Sequence, residues 1–201
     1  MSLAVRAAGT DNCAMLRPPT RTLFALLAAA CSSSAPAAGT LVADRPEMAK
    51  AQMLLVSSPA MSPGAPIALG YSAYGRNELP PLSWSALPAG TQSLAIVVED
   101  PDASSAQPFV HWTAWNIAPS AHGLPEGLAG AVQGRNGKGT NGWWGPHPSD
   151  GKLHHYHFQL FALDTKLAVP AAAGREALAE AMAGHVLGKG KLVGTFIKPK
   201  G

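Results

Sequence analysis

Three segments with strongly patterned hydrophobicity constrain the fold of this chain most. Residues 93–100 (SLAIVVED), 109–117 (FVHWTAWNI) and 154–163 (HHYHFQLFAL) have the length and the alternation of β-strands. Abundant glycine (21) and proline (18) favour turns between short strands over long helices. Residues 174–187 have the Ala, Glu and Leu content of a helix, and residues 192–197 are typical of a last strand. The sequence therefore predicts a mostly β protein, an antiparallel Greek-key β-sandwich with one or two short helices, the main one near the C-terminus.

The composition narrows the possible classes of protein. Hydrophobic residues make up 47% of the chain and charged residues 13%, which is enough apolar material to form a core. The formal net charge is only +3, and no basic stripe interleaved with aromatic residues occurs, so nucleic-acid binding is not expected. The two cysteines, Cys13 and Cys31, both precede residue 50. A disulfide framework or a thiolate metal site in the body of the chain is thereby excluded.

The first 50 residues are typical of an export leader. Arg17 and Arg21 precede a short apolar run at 23–30, and small residues follow, as in a secretory signal peptide. Cys31 directly after three alanines also fits a lipoprotein signal, in which Cys31 would carry the lipid. The apolar run is too short for a transmembrane span. We therefore predict a leader with a flexible tail at 1–50, one domain at 51–201, and an exported protein, periplasmic or secreted, or lipid-anchored through Cys31.

Polar residues interrupt the apolar faces of the three strand segments. Asp100 ends the apolar face of the first segment, and alternation places His111 on the same face as Trp115 in the second. His154 and Tyr156 share the apolar face of the third segment. Buried carboxylates and imidazoles are costly unless they are paired. We therefore expect these groups to meet at one rim of the sandwich and to form a shared pocket.

Four stretches of the chain resemble the phosphatidylethanolamine-binding protein family, in particular its bacterial Raf-kinase-inhibitor-like members. The resemblance rests on an Asp-Pro-Asp-Ala motif, then His-Trp, then Gly-Pro-x-Pro with His-x-Tyr, in that order. It covers about residues 52–198. The matching stretches lie at 77–103, 111–117, 142–164 and 176–198.

The resemblance implies a β-sandwich with a small pocket for phosphate, a carboxylate such as acetate, or a phospholipid headgroup. It implies no cofactor and no metal. Carried over by position, the ligand-binding residues would be Asp100, His111, Gly145, Pro146, His154 and Tyr156, and the pocket wall would include Asp102, His147 and Pro148.

Three positions depart from the family pattern. The family usually has proline at the positions of Ser104 and His147, and arginine at the position of His155. Without that arginine, Asp102 is expected to lack its usual partner. A histidine is mostly neutral above pH ~6.5, unlike arginine. His147 and His155 therefore predict ligand binding that depends on pH.

Three classes of function remain open, and a binding module is expected rather than an enzyme. A small hydrolase or metal-dependent enzyme would have to use Asp100, His111 and His154, and the chain has no nucleophile motif such as G-x-S-x-G. A protein-interaction or inhibitor module would use the loop at 119–152, where Trp143 and Trp144 are adjacent. The sequence leaves the physiological ligand, the protein partner and the oligomeric state, a homodimer included, undetermined.

Overall fold

The structure is a computed structural model that describes residues 39–200. Within this range the chain forms nine strands and one α-helix. In chain order these are β1 (Gln52–Met53), β2 (Val56–Ser57), β3 (Leu82–Trp84), β4 (Ser93–Asp100), β5 (Phe109–Ile117), β6 (Gly123–Leu124), β7 (Val132–Gln133), β8 (His154–Leu163), α1 (Arg175–Met182) and β9 (Val186–Phe196).

The strands form two sheets. The large sheet has the order β1-β9-β8-β4-β5-β7, and the small sheet has the order β2-β3-β6. Every pair of neighbours is antiparallel except β1 and β9, which run parallel with Gln52 opposite Gly188. The large sheet is therefore mixed, and the expectation of a purely antiparallel protein is wrong at this pair. Because β1 and β9 lie at opposite ends of the domain sequence, no short hairpin dictates their direction.

Two hydrophobic cores lie on the two faces of β4. The first core joins β4 to the small sheet through Leu82 and Leu124. The second core joins the opposite face of β4 to the helix through Leu178 and Met182. All eight residues of β4 are buried, which explains its nearly continuous apolar sequence.

The folded domain begins earlier than the predicted boundary at residue 50. Residues Val42–Asp44 and Pro46–Met48 form two short 3₁₀ helices. The side chains of Val42 and Met48 are fully buried in the second core. Alternation did not identify this stretch because 3₁₀ turns have no strand or α-helix period. The predicted signal sequence, including Cys31, lies outside the described residues.

A buried polar network fastens this N-terminal segment to the sheet. The backbone N–H of Val42 donates to Glu99 Oε2 (3.0 Å), and that of Ala43 donates to Gln159 Oε1 (2.7 Å). Arg175, the first residue of the helix, forms an ion pair with Glu99 and also donates to the carbonyl of Thr40. The charge of fully buried Glu99 is thus paired and hydrogen-bonded, as burial of a carboxylate requires.

Strand β5 contains two irregularities that redirect its side chains. Val98 lies opposite Trp112 while Glu99 lies opposite Val110, so His111 is the extra residue of a bulge. A second register shift precedes Ile117. Strict alternation placed His111 and Trp115 on one face, and this prediction is wrong, because Trp115 belongs to the second core. Each bulge shifts the alternation of side chains between the two faces of the sheet by one residue. Because β5 has two bulges, the residues at its two ends lie on the same face, as predicted.

The helix is shorter than predicted and is followed directly by the last strand. It ends at Met182, where Gly184 adopts a φ of +81° that suits glycine after a helix C-terminus. Strand β9 then begins at Val186, inside the range predicted as helix. Between residues 39 and 200, no helix is long and apolar enough to cross a membrane.

Candidate functional site

A cavity of about 190 Å³ opens where β4 ends and where β5 and β8 begin. It lies below the roughly 300 Å³ at which pockets for drug-sized molecules start, so its natural occupant would be small. The lining combines charged, aromatic and small residues. They are Asp100, Ala103, Ser104, Phe109, His111, Lys138, Trp144, His147, Pro148, Ser149, Asp150, His154 and Tyr156.

Asp100 anchors the floor of the cavity. As the last residue of buried β4, it is only 3% exposed. Its Oδ1 accepts from the backbone N–H of Asp102 (2.8 Å), and its Oδ2 accepts from His154 Nδ1 (2.7 Å). Burial raises the pKa of Asp100, although the imidazole of His154 opposes this shift. The carboxylate is therefore an internal acceptor that orients His154.

His154 is held between two carboxylates. Its Nδ1 donates to Asp100, and its Nε2 donates to Asp150 Oδ1 (3.1 Å). Burial alone would lower the pKa of His154, but the hydrogen bonds and negative charges of Asp100 and Asp150 outweigh burial and raise it. Because both ring nitrogens face carboxylate oxygens, the doubly protonated imidazolium is the form this geometry favours.

His111, at the bulge of β5, is a different kind of histidine. Its Nδ1 lies 2.6 Å from the carbonyl oxygen of Trp144. A carbonyl only accepts, so Nδ1 carries the proton. Burial lowers the pKa of His111 to about 4. The ring is therefore neutral at pH 7, and its Nε2 is an acceptor rather than a cationic donor.

Tyr156 leaves a hydroxyl without a hydrogen-bond partner at the cavity. The residue is fully buried, and its ring packs edge-on against His111 with ring centroids 4.9 Å apart. Among residues 39–200, no group makes a hydrogen bond to the hydroxyl. The nearby backbone N–H of His147 favours a lower pKa of the phenol, but it does not form a hydrogen bond with the hydroxyl. Burial and the charge of Asp100 raise the pKa of Tyr156, so the phenol is a neutral donor at pH 7.

The Gly-Pro segment supports the outer wall, which His147 and Pro148 line. The N–H of Gly145 donates to Asn77 Oδ1 (2.7 Å), and a side chain at this position would meet the carbonyl oxygen of Tyr71 at 2.3 Å. Only glycine fits this close approach. The ring of His147 stacks on Tyr74 with centroids 4.2 Å apart, and the Tyr74 hydroxyl donates to the Pro148 carbonyl (2.7 Å). The wall is thus fixed by contacts with the loop at 71–77.

Asp102 and His155 form a pair outside the cavity. The backbone N–H and Nδ1 of His155 both donate to Asp102 Oδ2 at 2.7 Å. Burial opposes the shift, but these bonds lower the pKa of Asp102. Asp102 therefore has a histidine in place of the arginine expected from the family, and this histidine binds its carboxylate. The pair holds the turn after β4 against the start of β8.

The structure brings together most of the residues that the sequence predicted. Six of them line the cavity. Gly145, Pro146 and Asp102 do not line it and instead hold its wall, Pro146 by accepting from the N–H of Ala73 (3.0 Å). The lining residues among those predicted are Asp100, His111, His147, Pro148, His154 and Tyr156.

The prediction missed Asp150, Lys138 and Trp144. Asp150 lies in the loop before β8, where the sequence has no period that would indicate a contact with His154. Lys138 lies 5.3 Å above the centre of the Trp144 ring, a cation–π geometry. No local pattern signals this contact, because the two residues come from different turns of the loop at 119–152.

The positive and negative charges around the cavity nearly balance, so a ligand would be held mainly by hydrogen bonds. Two carboxylates, Asp100 and Asp150, face the ammonium of Lys138 and the imidazole of His154, whose pKa they raise. In residues 39–200, no cluster of three or more His, Cys, Asp or Glu side chains has the geometry of a metal site. The arrangement can hold a small polar group that both donates to His111 and accepts from Tyr156.

The fold and the cavity define a class of protein, namely small β domains with a pocket for a small ligand at the ends of central strands. The family model described as phosphatidylethanolamine-binding protein matches residues 57–197. The chain belongs to the phosphatidylethanolamine-binding protein family.

Two relatives are similar to this chain in sequence. A UPF0098 protein of Methanothermobacter thermautotrophicus is 44% identical over 63% of this chain and 87% of its own length. LppC of Mycobacterium tuberculosis, a predicted lipoprotein, is 41% identical over 80% of each chain.

Two solved structures share the fold. CT736 of Chlamydia trachomatis, described as a homologue of phosphatidylethanolamine-binding protein, has a TM-score of 0.69 and 37% identity, covering 74% of this chain and 100% of its own. YbcL of E. coli has a TM-score of 0.68 and 30% identity, covering 73% of this chain and 99% of its own.

Proposed function

We propose that this chain is an exported binding protein that holds a small phosphate- or carboxylate-bearing molecule in the cavity and catalyses no reaction. The family description names a phospholipid as the ligand of its members. The similarity to a predicted mycobacterial lipoprotein agrees with the leader-like sequence of residues 1–38.

The observation that carries this proposal is the unpartnered hydroxyl of Tyr156. A buried polar group without a partner costs about 1–3 kcal/mol. The hydroxyl belongs to a residue that lines the cavity, beside the neutral ring of His111. An oxygen atom of a bound ligand would accept the phenol proton and remove this cost.

The charges around the cavity restrict the ligand further. Asp100 and Asp150 balance the charges of Lys138 and His154, so a dianion would gain little from the net charge and would face two carboxylates. Nε2 of neutral His111 requires a donor. Dihydrogen phosphate, or a phosphate monoester that retains one acidic proton, carries a single negative charge and can both donate to His111 and accept from Tyr156.

The same geometry argues against catalysis. His154 has both nitrogens bound to carboxylates, and His111 has a pKa of about 4, too low for an efficient general base at neutral pH. Ser104 and Ser149 line the cavity, but no histidine of the described residues hydrogen-bonds to either. An activated nucleophile is not assembled.

The protein-interaction alternative has less support. Trp143 packs against the first core, with its ring 5.9 Å from Phe158, and Trp144 lines the cavity. Neither tryptophan of the loop at 119–152 is a free hydrophobic anchor for a protein partner.

Calorimetric titration with inorganic phosphate and with glycerophosphoethanolamine tests the proposal. We expect saturable binding of at least one of them at pH 7. Tyr156→Phe and His111→Ala should each weaken binding about tenfold, the loss expected for one hydrogen bond to a charged group. His185→Ala is the matched control, because His185 pairs with Asp164 at the far end of β8. Equal affinity in the Tyr156 variant and the wild type would contradict the proposal.

A further inference from the structure

A carboxylate of the protein already occupies the N–H of His154 that would be the best hydrogen-bond donor to an anionic ligand. Nδ1 of His154 is committed to Asp100, so Nε2 is the remaining N–H of this imidazole. Asp150 Oδ1 accepts from that Nε2 at 3.1 Å, and Asp150 lines the same cavity. The Nε2–H group of His154 is therefore already hydrogen-bonded to the carboxylate of Asp150.

The two carboxylates bound to His154 differ in how firmly they are held. The side chain of Asp100 is 4% exposed and binds at 2.7 Å, whereas that of Asp150 is 40% exposed and binds at the longer distance. Asp150 lies in the loop before β8, where its Oδ1 also accepts from the backbone N–H of Lys152 (3.0 Å). Ion pairs at such exposure contribute little free energy, so the Asp150 contact can be exchanged at low cost.

We propose that Asp150 determines the specificity of the site by competing with the ligand for Nε2 of His154. An oxyanion that reaches this nitrogen displaces the Asp150 carboxylate, and the carboxylate stays beside the cavity as a negative charge. Asp150 thus lowers the affinity for phosphate and discriminates most strongly against ligands with two negative charges. This inference rests on the proposed function, because it concerns the same cavity.

The substitution Asp150→Asn separates charge from shape. Asparagine can still accept from the N–H of Lys152, but it no longer offers a carboxylate to His154. We expect the variant to bind inorganic phosphate about tenfold more tightly than the wild type, as removal of one nearby negative charge implies.

Asp164→Asn is the matched control. Asp164 accepts from His185 Nδ1 at 2.8 Å, and both side chains are about half exposed. This substitution removes one negative charge from an exposed Asp–His pair that does not line the cavity, and it should leave phosphate affinity unchanged. The control therefore corrects for the change in net charge of the whole protein.

The side-chain NMR signals of His154 give a second readout in the free protein. Because the Asp150 contact raises the pKa of His154, Asp150→Asn should lower that pKa. Phosphate binding by the wild type with no gain in Asp150→Asn would overturn this inference and leave the proposed function standing. Absence of phosphate and glycerophosphoethanolamine binding in both proteins would overturn the proposed function, and this inference with it.

Discussion

Two of the three histidines that line the cavity have pKa values shifted in opposite directions. His154 has two carboxylate partners and an elevated pKa, whereas His111 donates to one carbonyl and has a pKa of about 4. The same residue type thus supplies a cation at one wall and a neutral acceptor at the other. Hydrogen-bond partners, rather than distance from solvent alone, decide which form each ring adopts.

His111 should make the stability of the protein depend on pH. In the unfolded chain its pKa is near 6.5, and in the folded protein it is about 4. Between these values the unfolded state binds the proton and the folded state does not, so stability is lost as the pH falls from 6.5 to 4. The contribution of His111 amounts to roughly 3 kcal/mol over this window.

Urea unfolding at pH 6.5 and pH 4 measures this loss. His111→Asn keeps a donor for the Trp144 carbonyl and removes the titrating group, so its loss of stability between the two pH values should be smaller by up to that amount. The His185→Ala control should behave like the wild type. An identical pH dependence in the wild type and His111→Asn would show that His111 is not buried in its neutral form.

At the level of single residues, the sequence predicted which side chains line the cavity better than it predicted their protonation states and contacts. Asp100, His154 and Tyr156 were found because strict alternation holds in β4 and β8. The neutral state of His111 could not be predicted, because it depends on burial of the ring at a β-bulge, which the alternation of the sequence does not show. Asp150 lies in a loop, where no periodicity shows which way a side chain faces.

At the level of elements, long strands were predicted well and short ones were not. The boundaries of β4, β5 and β8 agree with the predicted segments, because each has eight or more patterned residues. The two-residue strands carry no detectable period. The bulges in β5 are likewise invisible in the sequence, and they explain why Trp115 faces the second core while His111 faces the cavity.

The ion pair between Arg175 of the helix and Glu99 of the large sheet gives a test at the level of elements. Arg175→Met removes the partner of fully buried Glu99 and should destabilise the protein by about 3–5 kcal/mol. Arg76→Met is the matched control, because Arg76 pairs with Glu78 on the surface, where such pairs contribute about 0–1 kcal/mol.

Denaturant unfolding of both variants at pH 7 measures the difference. A loss in Arg175→Met as small as that in Arg76→Met would mean that the network around Glu99 does not hold the N-terminal segment.

At the level of the whole molecule, the domain sets a limit on processing of the leader. The carbonyl of Thr40 and the N–H of Val42 take part in the buried network. Cleavage after this point would remove the carbonyl that accepts from Arg175 and the N–H that donates to Glu99. We therefore expect the mature exported protein to begin before residue 40, at Cys31 if the leader is a lipoprotein signal, or after Ala37 if it is a secretory signal.

Mass spectrometry of the protein exported from bacterial cells distinguishes these outcomes. A lipidated N-terminus should disappear in Cys31→Ala, and the protein should then move from the membrane to the soluble fraction. A folded mature protein that begins after Met48 would contradict the expectation that the N-terminus lies before residue 40.

The attachment of residues 42 and 43 determines how the domain responds to mechanical load. Force applied through an upstream tether reaches side chains of β4 and β8, the central strands of the large sheet, before it reaches the two-residue edge strand β1. Several hydrogen bonds of the N-terminal segment would share this load. A protein held at its N-terminus would therefore resist unravelling from that end.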